Sequence, residues 1–415
     1  MVARACIRNV LRFEPHRRCF HSGYRNSQFQ PSHRPRHGLS IVSHEPTRPQ
    51  VTSLFSSRHA GNITTTTLPT TTNPPAAWAQ TYHPPTTGLI SHLPTRLIPF
   101  AELSRFDKPV GTYYLFMPCV FSTLLAGTLT TPLTPPLTIL TTTALFFSGA
   151  LIMRGAGCTI NDIWDRNLDP HVARTRLRPL ARGAVSLPSA IIYTGVQCLA
   201  GLAVLLQFPW SCFFYATPSL IFVALYPLAK RVTNYPQIML GLTFSWGAMM
   251  GFPALGIDLL SHTPALIAAV CLYASNVAWT VLYDMVYAHM DLSDDKKAGI
   301  RSIARAHETS TKPILAGLAG VQTALLAGAG YALGMGPVYH LAVCGASVVG
   351  NGVQIWKVKL NDAQNCWWWF RYGVWITGGG IAAGMGLEYA AQYLGLYKED
   401  VAGAHDSTVA TKVAF

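Results

Sequence analysis

Carboxylates crowd two short stretches of this chain. In Asn161-Asp162-Ile163-Trp164-Asp165-Arg166-Asn167-Leu168-Asp169, the acids Asp162, Asp165 and Asp169 recur at i, i+3 and i+7, which sets them on one helical face, with Asn161 one turn from Asp165. In the second stretch Asp284, Asp291 and Asp295 recur at i, i+7 and i+11, with Asp294 one turn from Asp291. Carboxylates at this density repel one another unless cations hold them. All-oxygen donors suit the hard ion Mg2+, which usually completes its shell with phosphate oxygens. Two such stripes facing each other across a cavity would clamp a diphosphate through metal ions, as in metal-assisted displacement. Basic residues follow both: Arg174, Arg176, Arg178 and Arg182 after the first, Lys296, Lys297 and Arg301 after the second. The plainer alternative is that these acids cap helices and pair with loop arginines on a wetted surface.

The elements that carry these residues follow from composition. Of 415 residues, 50% are apolar and 12% charged, too few charges to cover a soluble protein of this size, so an all-α polytopic membrane protein is expected. Nine apolar runs are long enough to cross a bilayer, near 110-129, 137-160, 189-207, 211-228, 237-256, 264-287, 313-334, 337-356 and 372-394. The connections after the first, third, fifth and seventh hold a single charged residue, Asp258. Apart from Arg154 inside the second run, every Lys and Arg between 101 and 390 lies before the first run or in or beside the other connections. By the positive-inside rule those connections and the N-terminus share one side, and both acidic stretches lie there. The C-terminus then lies opposite. Ionisable groups at membrane depth are functional candidates. Arg154 lies two turns before Asn161 on roughly the same face, where a buried cation would hold a carboxylate, either of a ligand or of an acidic neighbour. His289 reads as interface filling.

Residues 1-100 hold 11 Arg, no Lys and 2 Glu, so nine of the thirteen net positive charges of the chain lie there. Arg4, Arg8 and Arg12 share one helical face, with Val2, Cys6, Val10 and Phe13 roughly opposite, the make-up of a mitochondrial transit peptide followed by a Thr-rich linker. A basic tail that binds nucleic acid or lipid is the alternative, and the lack of Lys and of interleaved aromatics argues against nucleic acid. Residues 101-397 would form the membrane domain and 398-415 a tail. The 9 cysteines are scattered, with no zinc or disulfide pattern. Trp367, Trp368 and Trp369 read as headgroup anchors, and Gly378, Gly379, Gly380, Gly384 and Gly386 as close helix packing.

The first acidic stretch, with Thr175-Arg176-Leu177-Arg178-Pro179-Leu180-Ala181-Arg182-Gly183, resembles the first signature of the UbiA superfamily of membrane prenyltransferases, and Tyr287-Ala288-His289-Met290-Asp291-Leu292-Ser293-Asp294-Asp295 resembles the second. Arg105-Phe106-Asp107-Lys108-Pro109-Val110-Gly111-Thr112 and Tyr226-Pro227-Leu228-Ala229-Lys230-Arg231 are similar to two stretches of the branch that prenylates 4-hydroxybenzoate in ubiquinone synthesis. The resemblance spans about residues 100 to 395 and implies about nine transmembrane helices around a lipid-accessible cavity, Mg2+ as cofactor, and polyprenyl diphosphate and 4-hydroxybenzoate as substrates. It assigns metal binding to Asp162, Asp165, Asp169, Asp291 and Asp295, and catalysis to Asp162, Asp165, Asp291 and Asp295. Arg154 would meet the benzoate carboxylate and Asn161 would line the site. Arg178, Arg182 and Lys297 would meet phosphate, with Lys230 and Arg231 also on the substrate side. Arg301 stands where the family often has Lys, which keeps the charge. Partners implied are the lipid bilayer and other ubiquinone-synthesis enzymes, with no nucleic acid, in the mitochondrial inner membrane with the active-site loops facing the matrix.

Two rivals remain at this point: farnesyl transfer to a phenolic polyketide on the same fold, and a transporter of cations or phosphorylated solutes. Against transport, the acids gather at one membrane face, whereas transport sites usually lie near the midplane. Residues 1-60 fused to a reporter are expected to carry it into mitochondria; a reporter found elsewhere by fractionation removes the main argument for the ubiquinone branch.

Overall fold

A computed structural model describes residues 81-171, 175-223, 225, 233, 235-292 and 302-397, all within one unit, 72-415. Arg174, Lys230, Arg231, Asp294, Asp295, Lys296, Lys297 and Arg301 lie outside the described residues, as do the transit-like segment through residue 80 and the tail from 398. Every regular element described is helical. In order they are α1 (Ile98–Leu103), α2 (Val110–Gly127), α3 (Pro136–Asp165), α4 (Leu187–Leu205), α5 (Ser211–Ala216), α6 (Pro236–Phe244), α7 (Gly247–Ala254), α8 (Thr263–Ala288), α9 (Thr311–Ala332), α10 (Pro337–Lys357) and α11. α11 runs from Ala363–Gly373 through a π-helical turn, Val374–Gly379, into Gly380–Tyr393.

Proline sets where many of these helices begin. It occupies the first or second position of α1, α3, α4, α6, α8 and α10. There its missing N–H has no intrahelical partner to lose, and its fixed φ already suits the helix. Ser186 adds a cap to α4, its hydroxyl accepting from the Ser189 N–H at 3.3 Å.

Each of the nine apolar runs is helical over most of its described length, but among the described residues six helices are long and apolar enough to cross a membrane. The run at 211-228 appears as the shorter apolar helix Ser211–Val223, and the run at 237-256 breaks at Ser245 and Trp246 between α6 and α7. Of the long helices, α2 and α8 are the inner ones, with 72% and 61% of their most apolar windows buried, against 17% for α4. Ile191, Ile192, Val196 and Leu199 of α4 face outward. Apolar surface of that extent calls for lipid around it.

The inner layer packs Tyr114, Met117, Phe121 and Leu125 of α2 against Phe252 of α7, Leu272, Trp279 and Tyr283 of α8, and Val374, Ile381 and Met385 of α11. Where α2 meets α7, Ser122 Oγ donates to the Gly247 carbonyl at 2.7 Å and accepts from the Gly251 N–H at 3.0 Å. A Cβ on Gly251 would land on the Ser122–Thr123 peptide. Gly378 and Gly384 likewise sit against Trp279 and the Val343 backbone, the close packing expected, while Gly386 meets nothing.

The three tryptophans divide. Successive residues on a helix point about 100° apart, so they cannot share one environment. Trp368 is exposed as an anchor would be, Trp367 stacks on Phe370, and Trp369 is buried beside Val286 and Cys366, a core residue and not an anchor. Two glycines give opposite expectations in thermal denaturation of the detergent-solubilised protein. Gly251→Ala should lower stability by about 1 to 3 kcal/mol, the usual cost of overpacking. Gly317→Ala on α9, where a Cβ meets nothing within 4 Å, should be neutral or raise it by roughly 0.5 to 1 kcal/mol.

Candidate functional site

The acidic end of α3 is built around Asp162, which is 0% exposed. A carboxylate out of water is stable only if paired, and two guanidinium groups supply the pairing. Arg105 Nη2 donates to Oδ1 and Oδ2 of Asp162 at 2.7 and 2.9 Å, and Arg178 Nη1 donates to Oδ1 at 3.1 Å. Arg178 Nη1 also donates to both oxygens of Asp169, at 3.1 and 3.0 Å. Beside them Arg182 Nη2 donates to Glu102 Oε2 at 2.6 Å, under the Tyr82 ring at 3.7 Å, and the Tyr82 hydroxyl donates to Glu102 Oε1 at 2.8 Å. Three arginines thus meet three acids in a charge-balanced network.

Arg105 reaches Asp162 from the turn after α1 with φ 59°, a left-handed backbone that costs a non-glycine residue about 1 to 2 kcal/mol. Its Nη1 donates to the Glu102 carbonyl at 3.0 Å, which holds the guanidinium against its own turn. Burial works against the Arg105 charge, but Asp162, together with Cys158 and Asp107, outweighs it and leaves the guanidinium more firmly protonated than usual. For Asp169 burial is the larger influence, and it raises the carboxyl pKa against the pull of Arg178. A raised folded value means that Asp169 favours folding most below the ordinary carboxylate range and loses that contribution as pH rises through the folded pKa.

The helical stripe of three acids stops short. α3 ends at Asp165, and Asp169 lies in a separate 3-10 turn, Asp169–His171, so helical spacing does not align it with Asp162. Arg178 brings the two together. Asn161 Nδ2 donates to Asp165 Oδ2 at 3.2 Å, the one-turn contact expected, and no cation pairs with Asp165 among the described residues. On the second stripe α8 ends at Ala288 and Asp291 closes a 3-10 turn, His289–Asp291. His289 is buried, with its ring bonded to the Met285 carbonyl at 2.8 Å and the Thr311 hydroxyl at 3.2 Å, which fits interface filling.

Two turns back along α3, Arg154 forms no ion pair among the described residues. Its Nη1 donates to Cys158 Sγ, its Nε is buried without a partner, and its guanidinium lies 5.7 Å from the Phe244 ring centroid. Gly111 lets it lie there, since a Cβ at that position would come within 2.5 Å of Nε. A fixed guanidinium beside an aromatic wall suits a planar carboxylate. Eight residues of helix separate Arg154 from Asp162, about 12 Å along the axis.

The donor set at the end of α3, carboxylates with one amide, suits Mg2+. Among the described residues, however, no group of three or more His, Cys, Asp or Glu is arranged to hold a metal, and Asp162 and Asp169 are paired with arginines. Arg105 and Glu102 were absent from the expected site. The only sign of Arg105 in sequence is its place in the stretch Arg105 to Thr112.

Residues 115–377 match the model of the UbiA prenyltransferase family. The chain is 43% identical over 294 residues to the mitochondrial 4-hydroxybenzoate polyprenyltransferase of Schizosaccharomyces pombe, covering 71% of this chain and 80% of that one. It is 41% identical over 312 residues to the protein of the same name in Saccharomyces cerevisiae, covering 74% and 80%. In fold it is similar to a UbiA homolog from Archaeoglobus fulgidus solved with GPP and Mg2+, at 17% identity and a TM-score of 0.53, covering 70% of this chain and 99% of that one.

Arg105→Met should lower the stability of the metal-free protein toward the lower end of roughly 3 to 5 kcal/mol, because Arg178 remains on Asp162 and Arg105 is 17% exposed. Arg105→Lys should recover part of the loss, since an ammonium keeps the charge but has no second nitrogen to hold the Glu102 carbonyl while it meets Asp162. Unchanged denaturation midpoints in both variants would show that the pair carries no structural weight.

Proposed function

Since this chain belongs to the UbiA prenyltransferase family, we propose that it transfers a polyprenyl group from polyprenyl diphosphate to 4-hydroxybenzoate in ubiquinone biosynthesis. The new bond forms at the ring carbon ortho to the hydroxyl, and diphosphate is released. The names of the fungal relatives support the substrates, at identities above 40% over four fifths of each relative. The observation that carries the reading on the geometric side is Arg154, a half-buried cation with no acidic partner among the described residues, set against Phe244 on the helix that ends in the acidic cluster. One helix then holds an aromatic acid at one level and a diphosphate at the next.

In this reading Arg154 orients the acceptor through its carboxylate and leaves the hydroxyl-bearing end of the ring toward Asp162. Asp162, Asp165, Asp169, Asp291 and Asp295 would hold Mg2+, which supplies Lewis-acid stabilisation of the leaving diphosphate. Arg105 and Arg178 already lie on the carboxylates, and they would move onto phosphate oxygens when a diphosphate arrives, a geometry that guanidinium forks match well. Arg182, Lys297, Lys230 and Arg231 are assigned to the same anionic substrate, and Asn161 orients Asp165. Carbon–oxygen cleavage leaves an electron-deficient allyl group, the ring carbon attacks it, and loss of the ring proton restores aromaticity. The packed apolar walls of α2 and α8 exclude the water that would quench such a species. The exposed apolar faces of the outer helices support a long isoprenoid tail passing into lipid.

The names of the relatives include mitochondria. For this chain we assign residues 1-100 to transit and linker functions, 101-397 to the catalytic membrane domain and 398-415 to a tail, with the active-site loops on the matrix side of the inner membrane.

Membranes carrying Asp162→Ala or Asp291→Ala should prenylate 4-hydroxybenzoate with Mg2+ at least 100-fold more slowly than wild type, ~3 kcal/mol of lost transition-state stabilisation; wild-type rates would defeat the metal assignment. Arg154→Ala should raise the KM for the aromatic acid and leave the donor KM nearly unchanged. The opposite pattern would move Arg154 to the donor side.

A further inference from the structure

Beyond the reaction, a groove of about 830 Å³ opens where the start of α9, the end of α10 and the start of α11 meet. Lys312, Lys357 and Lys359 line it with Trp356, Trp368 and Trp369, and its one acid is Asp362. None of the three lysines forms an ion pair among the described residues. The Asp362 carboxylate caps α11, accepting from the Gln364 and Asn365 N–H groups at 3.0 and 3.2 Å. Among the described residues the groove therefore offers three cations that no carboxylate pairs.

Its position fixes the kind of anion. Thr311, next to Lys312, bonds His289 beside Asp291, so the groove lies at the membrane face of the second acidic stretch. Two exposed apolar stripes run from it along the helices: Val349 and Trp356 on α10, and Trp368, Tyr372 and Ile376 on α11. Trp356 and Trp368 supply the amphipathic rings that favour the headgroup layer, and Lys357 stands over the Trp356 ring at 5.8 Å. A soluble anion would need only the lysines. An anionic phospholipid would place its phosphate among them and its acyl chains along both stripes.

We propose that this groove binds the headgroup of an anionic phospholipid, a site separate from the reaction centre. The test uses the full chain purified in detergent, with lipid retention read by native mass spectrometry. Wild-type protein should retain phosphatidylglycerol in preference to phosphatidylcholine. Combined Lys312→Gln, Lys357→Gln and Lys359→Gln should weaken that retention by at least about ten-fold, given roughly five-fold for each lysine near a charged headgroup. Lys359→Gln alone, read in the same way, covers the case in which the triple variant does not fold. Undiminished retention in either folded variant, equal retention of both lipids, or displacement of phosphatidylglycerol by millimolar inorganic phosphate would overturn the proposal.

Discussion

A carboxylate fully withdrawn from water at the end of a membrane helix must be neutralised in place, and Asp162 organises its surroundings by that requirement. Arg105 adopts a left-handed backbone to reach it, and Arg178 folds back from the following connection to share it with Asp169. Through Glu102 the same connection is tied to α1 by Arg182. The segments before α2 and after α3 are thereby held to one point, although 57 residues of chain separate Arg105 from Asp162. An interaction this costly to assemble gains little stability over a packed apolar contact, so its retention fits a site where the carboxylate has a second partner to receive.

That second partner gives the charge balance its meaning. Three acids against three arginines leave the cluster near neutral while no anion is bound. In the proposed reaction an incoming diphosphate brings negative charge and its metal ions positive charge, so carboxylates and guanidinium groups can exchange partners without leaving a buried charge alone. Asp165, bonded to Asn161 and paired with no cation among the described residues, is the carboxylate that needs no such exchange. Further along the same helix, Gly111 and Phe244 shape a place for Arg154, which has no acidic partner among the described residues.

Much of this was readable from spacing. Apolar run length placed the long helices, and i, i+4 geometry placed Asn161 on Asp165. The rest depends on contacts between distant segments. Helical spacing put Asp169 on the Asp162 stripe, but the helix stops at Asp165 and an arginine from a loop restores the contact. Arg105 was invisible as a partner because its reach depends on a backbone conformation that non-glycine residues rarely take. Trp369 went into the core because one of three consecutive helical residues had to turn inward. The break at Ser245 and Trp246 divides an apolar run that composition alone reads as continuous.

The most direct measurement is calorimetric titration of the full chain with an unreactive polyprenyl diphosphate analogue, with and without Mg2+, for wild type and for Asp162→Asn. If Asp162 exchanges its arginines for metal-bound diphosphate, binding will require Mg2+ in the wild type and fall by at least about ten-fold in the variant, ~1.4 kcal/mol. Equal affinity without Mg2+, or an unchanged affinity in Asp162→Asn, would contradict it.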